Sequence, residues 1–145
     1  MTLRLANEND FPEILRMARA FHEVSPYRDL EFSEDSCRSV FDLYLRGDKT
    51  DIVIILSDNS GMLIACANQL PFSNDKIAME LAWWVDEDKR GSKDSLLMKK
   101  AYEAWARKIG AKLTQMAMLD EVTNLDKFYR KQGYVPAERS YIKET

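Results

Sequence analysis

Metal-binding and thiol residues are scarce in this sequence, which has one histidine, His22, and two cysteines, Cys37 and Cys66, in unrelated contexts. Their spacing is not that of a metal site, so we expect no bound metal. No apolar run approaches the roughly 20 residues that span a bilayer, and the opening residues, MTLRLANEND, do not resemble a signal peptide. We therefore expect a cytoplasmic protein with reduced thiols and no membrane partner.

Neither sign of charge is in large excess, since the net charge is −3 and 31% of the residues are charged. The lack of basic excess argues against nucleic acid as the main partner, and the mild acidity is only a weak indication of a cationic substrate. A hydrophobic fraction of 46% is enough for a folded core. The length of 145 residues favours one domain, residues 1–145.

Hydrophobic periodicity predicts alternating strands and helices along the chain. Strands are expected at residues 2–6, 51–56, 62–70, 76–85, 111–118 and 140–143, and helices at about 10–24, 33–46, 94–108 and 124–131. The strand–helix–strand unit around the third helix implies a right-handed parallel pair, and the earlier hairpins imply antiparallel pairing. The predicted fold class is α/β (α+β mixed sheet), a mostly antiparallel twisted sheet with helices on both faces and one splayed parallel pair.

Residues 79–110 combine an apolar strand, an acidic turn, a polar loop and a long helix. The free N–H groups and the positive dipole end at the start of a helix bind anions, so we interpret the loop as a phosphate cradle. The apolar positions of the helix, which recur at helical spacing, are Leu97, Met98, Ala101, Trp105 and Ile109. The polar positions, which we expect to face water, are Lys99, Lys100, Glu103 and Arg107.

Two motifs in this order resemble those of the GNAT superfamily of acyl-CoA-dependent N-acetyltransferases. Residues 85–95 and the helix that ends at Gly110 are similar to the family's V-x-P-x-[YF]-[RQ]-G-x-G-x-[GA] loop and helix. Residues 124–134, NLDKFYRKQGY, resemble a shortened version of its N-x-x-[AS]-x-x-F-Y-x-x-x-G-[FY] ending. The element order matches over nearly the whole chain. The cradle loop also resembles loops of small GNAT proteins encoded by bacteriophages.

The resemblance implies that acetyl-CoA is the co-substrate. The residues expected to contact it are Trp83, Trp84, Val85, Arg90, Gly91, Ser92, Lys93, Asp94, Ser95 and Asn124. Lys93 and Ser95 stand where the family has small residues, which could crowd the pyrophosphate unless the lysine charge and the serine hydroxyl bind it. Other interpretations stay open: Lys89 and Lys93 as surface charges, the tryptophans as core residues, and Asn124 as a helix N-cap.

Glu80 is the candidate general base, because an amine acceptor arrives as an ammonium ion and must lose a proton. It lies on the strand whose backbone, by resemblance, contacts the thioester. Strand alternation places it on one face with Ala82 and Trp84. A plain polar strand position is the alternative, and Glu87 and Asp88 at the loop mouth are second choices for the base.

Tyr129 is the candidate acid, since it matches the family's tyrosine beside the leaving thiolate. The reference pKa of tyrosine, about 10, exceeds the value of about 8.5 for a thiol, so full proton transfer is uphill and a hydrogen bond to sulfur is the safer expectation. The alternative is that its ring only packs beneath the cofactor.

The sequence thus predicts an N-acetyltransferase that passes an acetyl group from acetyl-CoA to a primary amine by direct attack in a ternary complex. No cysteine lies in a motif that suggests a covalent acetyl-enzyme. A small molecule, a peptide and a protein all remain open as the amine-bearing acceptor, and so does a homodimer. The alternative is a non-catalytic binding module of the same fold that retains or has lost CoA binding. The missing loop glycines favour that alternative, and the Glu80–Tyr129 pair argues against it.

Overall fold

The computed structural model describes residues 3–58, 60–119 and 125–145. Its strands are β1 (Leu3–Leu5), β2 (Ile52–Ser57), β3 (Gly61–Gln69), β4 (Lys76–Val85) and β5 (Leu113–Gln115). Its helices are α1 (Phe11–Val24), α2 (Glu34–Arg46), α3 (Lys93–Lys108) and α4 (Asp126–Lys131), and single 3-10 turns, Glu8–Asp10 and Glu87–Lys89, precede α1 and α3. None of the helices in these ranges has the length and apolar character to cross a bilayer.

The five strands form one sheet in the order β1-β2-β3-β4-β5. Pairing is antiparallel except between β4 and β5, which run parallel because α3 connects them. The predicted mixed α/β fold class is therefore confirmed. Alternate residues of β2 supply opposite faces: Ile54 and Leu56 pack with α1 and α2, whereas Val53 and Ile55 pack with α3.

A β-bulge in β4 changes which residues share a face. Ala65 lies opposite Glu80 and Ile64 lies opposite Ala82, so Leu81 is the extra residue. A bulge shifts the alternation of side chains by one position. Glu80 consequently shares the α3 face with Ala65, and the predicted grouping of Glu80 with Ala82 and Trp84 is wrong.

Three other predicted features differ in the structure. The strand expected at 111–118 is short because the chain leaves β4 after Gln115. Residues 140–143 form no strand, and Tyr141 and Ile142 are exposed, since strand-forming residues need a neighbouring strand to satisfy their backbone. The last helix begins at Asp126, and Asn124 lies outside the described residues.

The expectation that Lys99 faces water is also wrong. Lys99 is only 2% exposed, and the buried positions of α3 are Met98, Lys99, Tyr102 and Ala106. α4 and the segment after it lie against α3, where Lys99 donates to Gln132. This covering segment buries a helix face that the isolated pattern of α3 assigns to solvent.

Candidate functional site

β4 and β5 separate within the sheet, as the fold prediction required. Their pairing covers only Ile77–Leu113, Ala78–Thr114 and Met79–Gln115, whereas β3 follows β4 as far as Val85. Within the described residues, the β5-facing edge of β4 is therefore without a strand neighbour from residue 80 to residue 85. Such an edge can hydrogen-bond an extended chain that carries amide groups.

The loop after β4 is held at its first residue, Asp86. The Asp86 N–H donates to the Ser60 carbonyl at 2.7 Å. Its carboxylate accepts two hydrogen bonds from the Arg16 guanidinium, at 3.2 and 2.9 Å, and one from Trp84 Nε1 at 2.8 Å. Partial burial by itself would raise the pKa of Asp86, but the bonds from Arg16 and Trp84 lower it below its ordinary value. Helix α1 and strand β4 thus fix the start of the loop together.

The turn into α3 leaves space at the helix N-terminus. Gly91 has a φ of +74°, and a Cβ placed there would meet nothing within 4 Å. Ser92 is the N-cap residue, and its side chain does not cap the first turn of α3. The first N–H groups of a helix have no partner within the helix, so they can bind an anion at this turn. Lys93 is exposed beside them.

Two of the predicted cradle side chains are turned away from that space. The Arg90 guanidinium donates from Nε to the Val85 carbonyl at 2.9 Å and lies over the Trp84 ring, 4.8 Å from its centroid. The Asp94 carboxylate accepts a hydrogen bond from Ser57 Oγ at 3.0 Å, on the side of β2. Asp94 remains an acidic residue of the first turn of α3, and the hydroxyl of Ser57 is its partner there.

The two predicted catalytic residues meet at Ala117, two residues beyond β5. The Glu80 carboxylate accepts the Ala117 N–H, and the Tyr129 hydroxyl donates to the Ala117 carbonyl at 2.8 Å. Burial raises the pKa of Glu80 to about 7, and the bond from Ala117 only partly offsets this effect. A carboxyl group with a pKa near neutrality is well matched to general-base chemistry.

Tyr129 is largely buried, at 9% exposure. Burial, followed by the nearby Glu80 charge, raises the pKa of Tyr129 above its ordinary value. Full transfer of its proton to a thiolate becomes more unfavourable as a result. The single hydrogen of the hydroxyl is donated to the Ala117 carbonyl, so a hydrogen bond to the sulfur would require the hydroxyl to leave that partner. Its role as an acid stays a prediction.

Replacing Tyr129 with phenylalanine tests its hydroxyl directly. We expect Tyr129→Phe to lower the free energy of unfolding by about 1–2 kcal/mol, because the Ala117 carbonyl loses its donor. Urea denaturation measures this loss. Tyr44→Phe is the matched control, since the Tyr44 hydroxyl donates to the Ala6 carbonyl at 2.7 Å, far along the sheet. Turnover that falls in both variants alike would show that the Tyr129 hydroxyl acts only through stability.

The adjacent tryptophans face opposite sides of the sheet. Trp84 packs with the α1–α2 core, whereas Trp83 packs with the α3 core and lies near the Phe128 ring of α4, at a centroid distance of 6.2 Å. Both fit the core-packing interpretation. Trp83 Nε1 is buried and has no hydrogen-bond partner within the described residues.

Sequence reasoning missed Arg16 and Ala117. Arg16 is 70 positions from Asp86 and sits on an ordinary amphipathic helix, so no local pattern marks it. Ala117 acts through its backbone, which no side-chain motif records.

A surface hollow of about 510 Å³ at residues 69–74 lies beyond the opposite end of β4 and includes none of the site residues. Within the described ranges, no three His, Cys, Asp or Glu side chains come together to hold a metal ion.

Comparison with known proteins gives a clear result for the fold. No protein-family model matches the chain, and no curated protein sequence matches it. Solved structures do match.

The aminoglycoside antibiotic 6'-N-acetyltransferase AAC(6')-IG from Acinetobacter haemolyticus is 17% identical, with a TM-score of 0.73 over 100% of this chain and 98% of that one. AAC(6')-Iy, in complex with a bisubstrate analog of CoA and acetylneamine, is 13% identical, with a TM-score of 0.75 over 99% and 97%. A GNAT family acetyltransferase from Staphylococcus aureus is 15% identical, with a TM-score of 0.69 over 99% and 98%. This chain has the fold of the GNAT acetyltransferases.

Proposed function

We propose that this protein is an acetyltransferase that moves an acetyl group from acetyl-CoA to a primary amine. The observation that carries the proposal is the open edge of β4 after Met79, which leads directly to the open turn at the N-terminus of α3. An edge that binds an extended amide chain and a turn that binds an anion together suit a ligand with a pantetheine arm and a pyrophosphate.

The cradle residues fit such a pyrophosphate. Gly91 allows close approach because glycine has no Cβ, and no neighbouring atom lies within 4 Å of the position that a Cβ would take. The Ser95 N–H donates to the Ser92 carbonyl at 3.2 Å, so the donors that remain for an anion are the N–H groups before Ser95 and the exposed Lys93 ammonium. The loop thus retains the elements of an anion site without the family's later glycines.

Glu80 supplies the chemistry on the acceptor side. An ammonium acceptor transfers a proton to the Glu80 carboxylate, either directly or through a water molecule, and the free amine then attacks the thioester carbonyl. The C–S bond breaks as the C–N bond is completed, and CoA leaves as a thiolate that takes up the proton lost by the acylated nitrogen. The N–H groups of β4 that have no strand partner among the described residues stabilise the negative charge that develops on the carbonyl oxygen. Tyr129, already a hydrogen-bond donor to Ala117, lies close enough to Glu80 for the Glu80 charge to raise the pKa of the tyrosine.

The class of acceptor is proposed from chemistry and from the similar proteins. A base with a pKa near 7 suits removal of a proton from an ammonium group. One of the similar structures is named an aminoglycoside antibiotic 6'-N-acetyltransferase, and an N-acetyltransferase acts on an amine. Another holds the bisubstrate analog CoA-S-monomethyl-acetylneamine. We propose an amine-bearing acceptor and leave its size open.

Calorimetric titration with acetyl-CoA, beside free CoA, tests the proposal. We expect a Kd in the micromolar range, about −8 kcal/mol, followed by release of free thiol when primary amines are screened. Absence of binding at millimolar ligand would overturn the proposal and favour the binding-module alternative. Binding of CoA without turnover of any amine would favour a module that has retained its ligand.

Lys93 offers a finer test of the cradle. We expect Lys93→Ala to weaken CoA binding about two- to fivefold and to reduce its dependence on salt, because an exposed cation contributes up to about 1 kcal/mol to a charged contact. Lys89→Ala is the matched control, since Lys89 is exposed in the preceding 3-10 turn. Titration of both variants at low and high salt gives the comparison. Tighter binding by Lys93→Ala would mean that Lys93 obstructs the phosphate.

A further inference from the structure

The helix that carries Tyr129 is only six residues long, and side-chain hydrogen bonds secure it. One bond joins the Tyr129 hydroxyl to the Ala117 carbonyl. A second joins Gln132, at the end of α4, to the Lys99 ammonium at 3.0 Å. A third group of bonds joins the Tyr134 hydroxyl to Glu103 Oε2 at 3.0 Å and to Thr114 Oγ1 at 3.1 Å.

Lys99 links the second and third of these attachments. Its ammonium donates to Glu103 Oε1 at 2.9 Å as well as to Gln132, and its side chain is only 3% exposed. Glu103 in turn accepts from Tyr134. Lys99 therefore neutralises a largely covered carboxylate and anchors both ends of the segment that follows Tyr129.

We infer that Lys99 is a positioning residue for Glu80. Its bonds to Gln132 and Glu103 keep α4 in place, so that Tyr129 stays in contact with Ala117. Ala117 is the residue whose N–H binds the Glu80 carboxylate. The inference rests on the proposed role of Glu80 as the base. Lys99 touches neither substrate nor reacting atoms in this arrangement. It acts through α4.

A packing role alone does not explain a lysine at this position. Apolar residues of similar volume fill such buried sites with equal or greater stability than an ion pair. A methionine would cover the same face of α3 but would leave Gln132 without its donor and Glu103 without its cation. The Lys99 charge therefore serves to hold the α4 segment in place, and the packing of α3 does not require it.

The surroundings of Glu80 provide a readout that does not depend on activity. In the part of the chain that the structure describes, the groups that interact with its carboxyl are the Tyr102 side chain of α3, the Tyr129 side chain of α4 and the Ala117 N–H. If α4 moves away from Ala117, water reaches the Glu80 carboxyl from the side that α4 covered. The pKa of Glu80 then falls from about 7 toward its ordinary value of 4.5.

The test compares three variants. Lys99→Met removes the ammonium, and Lys99→Met/Glu103→Gln also removes the carboxylate that would otherwise be left without its partner. Gln132→Ala removes only the hydrogen bond between Lys99 and the end of α4. Lys100→Met, on the exposed neighbouring position, is the control. Carbon-13 NMR of the glutamate carboxyl groups follows the titration of Glu80, and circular dichroism verifies folding.

We expect the titration midpoint of Glu80 to fall by at least one pH unit in the folded double variant and by a smaller amount in Gln132→Ala, with no change in Lys100→Met. In an active preparation kcat falls while the Kd for CoA stays the same. A folded double variant in which Glu80 still titrates near 7 would overturn the inference. Since NMR needs no substrate, this outcome is distinct from a failure of the proposed activity.

Discussion

Glu80→Gln lowers kcat/KM for the amine acceptor by about 10²–10⁴-fold, the range that a positioned general base contributes. Glutamine keeps the shape of the side chain and an oxygen that can accept the Ala117 N–H. It cannot accept a proton. Steady-state kinetics with acetyl-CoA and a responsive amine measure the loss, and CoA affinity, measured by calorimetry, should be unchanged.

The pH dependence of kcat/KM distinguishes a general base from a carboxyl group that has only a structural role. A base works when ionised, so the kcat/KM of the natural protein should rise as the pH increases through about 7, where the pKa of Glu80 lies. The profile of Glu80→Gln should lack this rise. Glu144→Gln, in the exposed C-terminal segment, should keep the natural profile. A rise near pH 7 that persists in Glu80→Gln would assign the base to another residue.

The same raised pKa has a consequence for stability. A carboxyl group whose pKa is higher in the folded state favours folding when protonated, so its contribution is full below pH 4.5 and is lost as the pH rises through about 7. The shift corresponds to about 3 kcal/mol. Glu80→Gln should therefore be more stable than the natural protein at pH 8, as urea denaturation would show. Equal stability at pH 8 would contradict the burial of an ionisable Glu80.

Gly91→Val weakens CoA binding by about tenfold or more, which is at least ~1.4 kcal/mol. A β-branched residue is an outlier at a φ of +74°, so the turn must change its backbone conformation and redirect the first N–H groups of α3. The free energy of unfolding should also fall by about 2 kcal/mol, because left-handed backbone is unfavourable for residues with a Cβ. Calorimetric titration and urea denaturation measure the two effects separately.

Gly110→Val is the matched control for strain. Gly110 has a φ of +82° at the other end of α3, and a Cβ there also meets nothing within 4 Å. Both variants should lose similar stability, and only Gly91→Val should lose CoA affinity. Equal affinities in the two variants would mean that the turn at Gly91 does not hold the phosphates.

Much of the fold could be predicted because its signals are local. Strand β4 has the bounds predicted for it, since its apolar run begins after a polar loop and ends at an acidic turn. Ser33 caps α2, with its hydroxyl accepting the Ser36 N–H at 3.1 Å, three residues along the chain. Gly110 and Gly133 have the positive φ angles expected after helices. Each of these features depends on residues within one turn of chain.

The candidate site could be predicted only in part. The motifs indicated Tyr129 and the cradle loop, and the strand before that loop indicated Glu80, but neither gave the partners that orient these residues. A bulge at Leu81 reverses the face of Glu80 relative to Trp84, and the bulge arises from the register between β3 and β4. The Ala117 bonds likewise depend on where the chain runs after β5.

Sequence alone determined the mixed α/β class and the order of nearly all elements, because periodicity, caps and turn residues act over a few positions. The cradle and the two candidate catalytic residues were predicted from the resemblance to a family's motifs, and they remain predictions. Tertiary structure decided the faces, the partners and the environments. It buried Lys99 under the α4 segment, joined Arg16 to Asp86 across the fold and left residues 140–143 without a strand partner. Burial and long-range pairing depend on elements far apart in the chain, and these also set the pKa of Glu80.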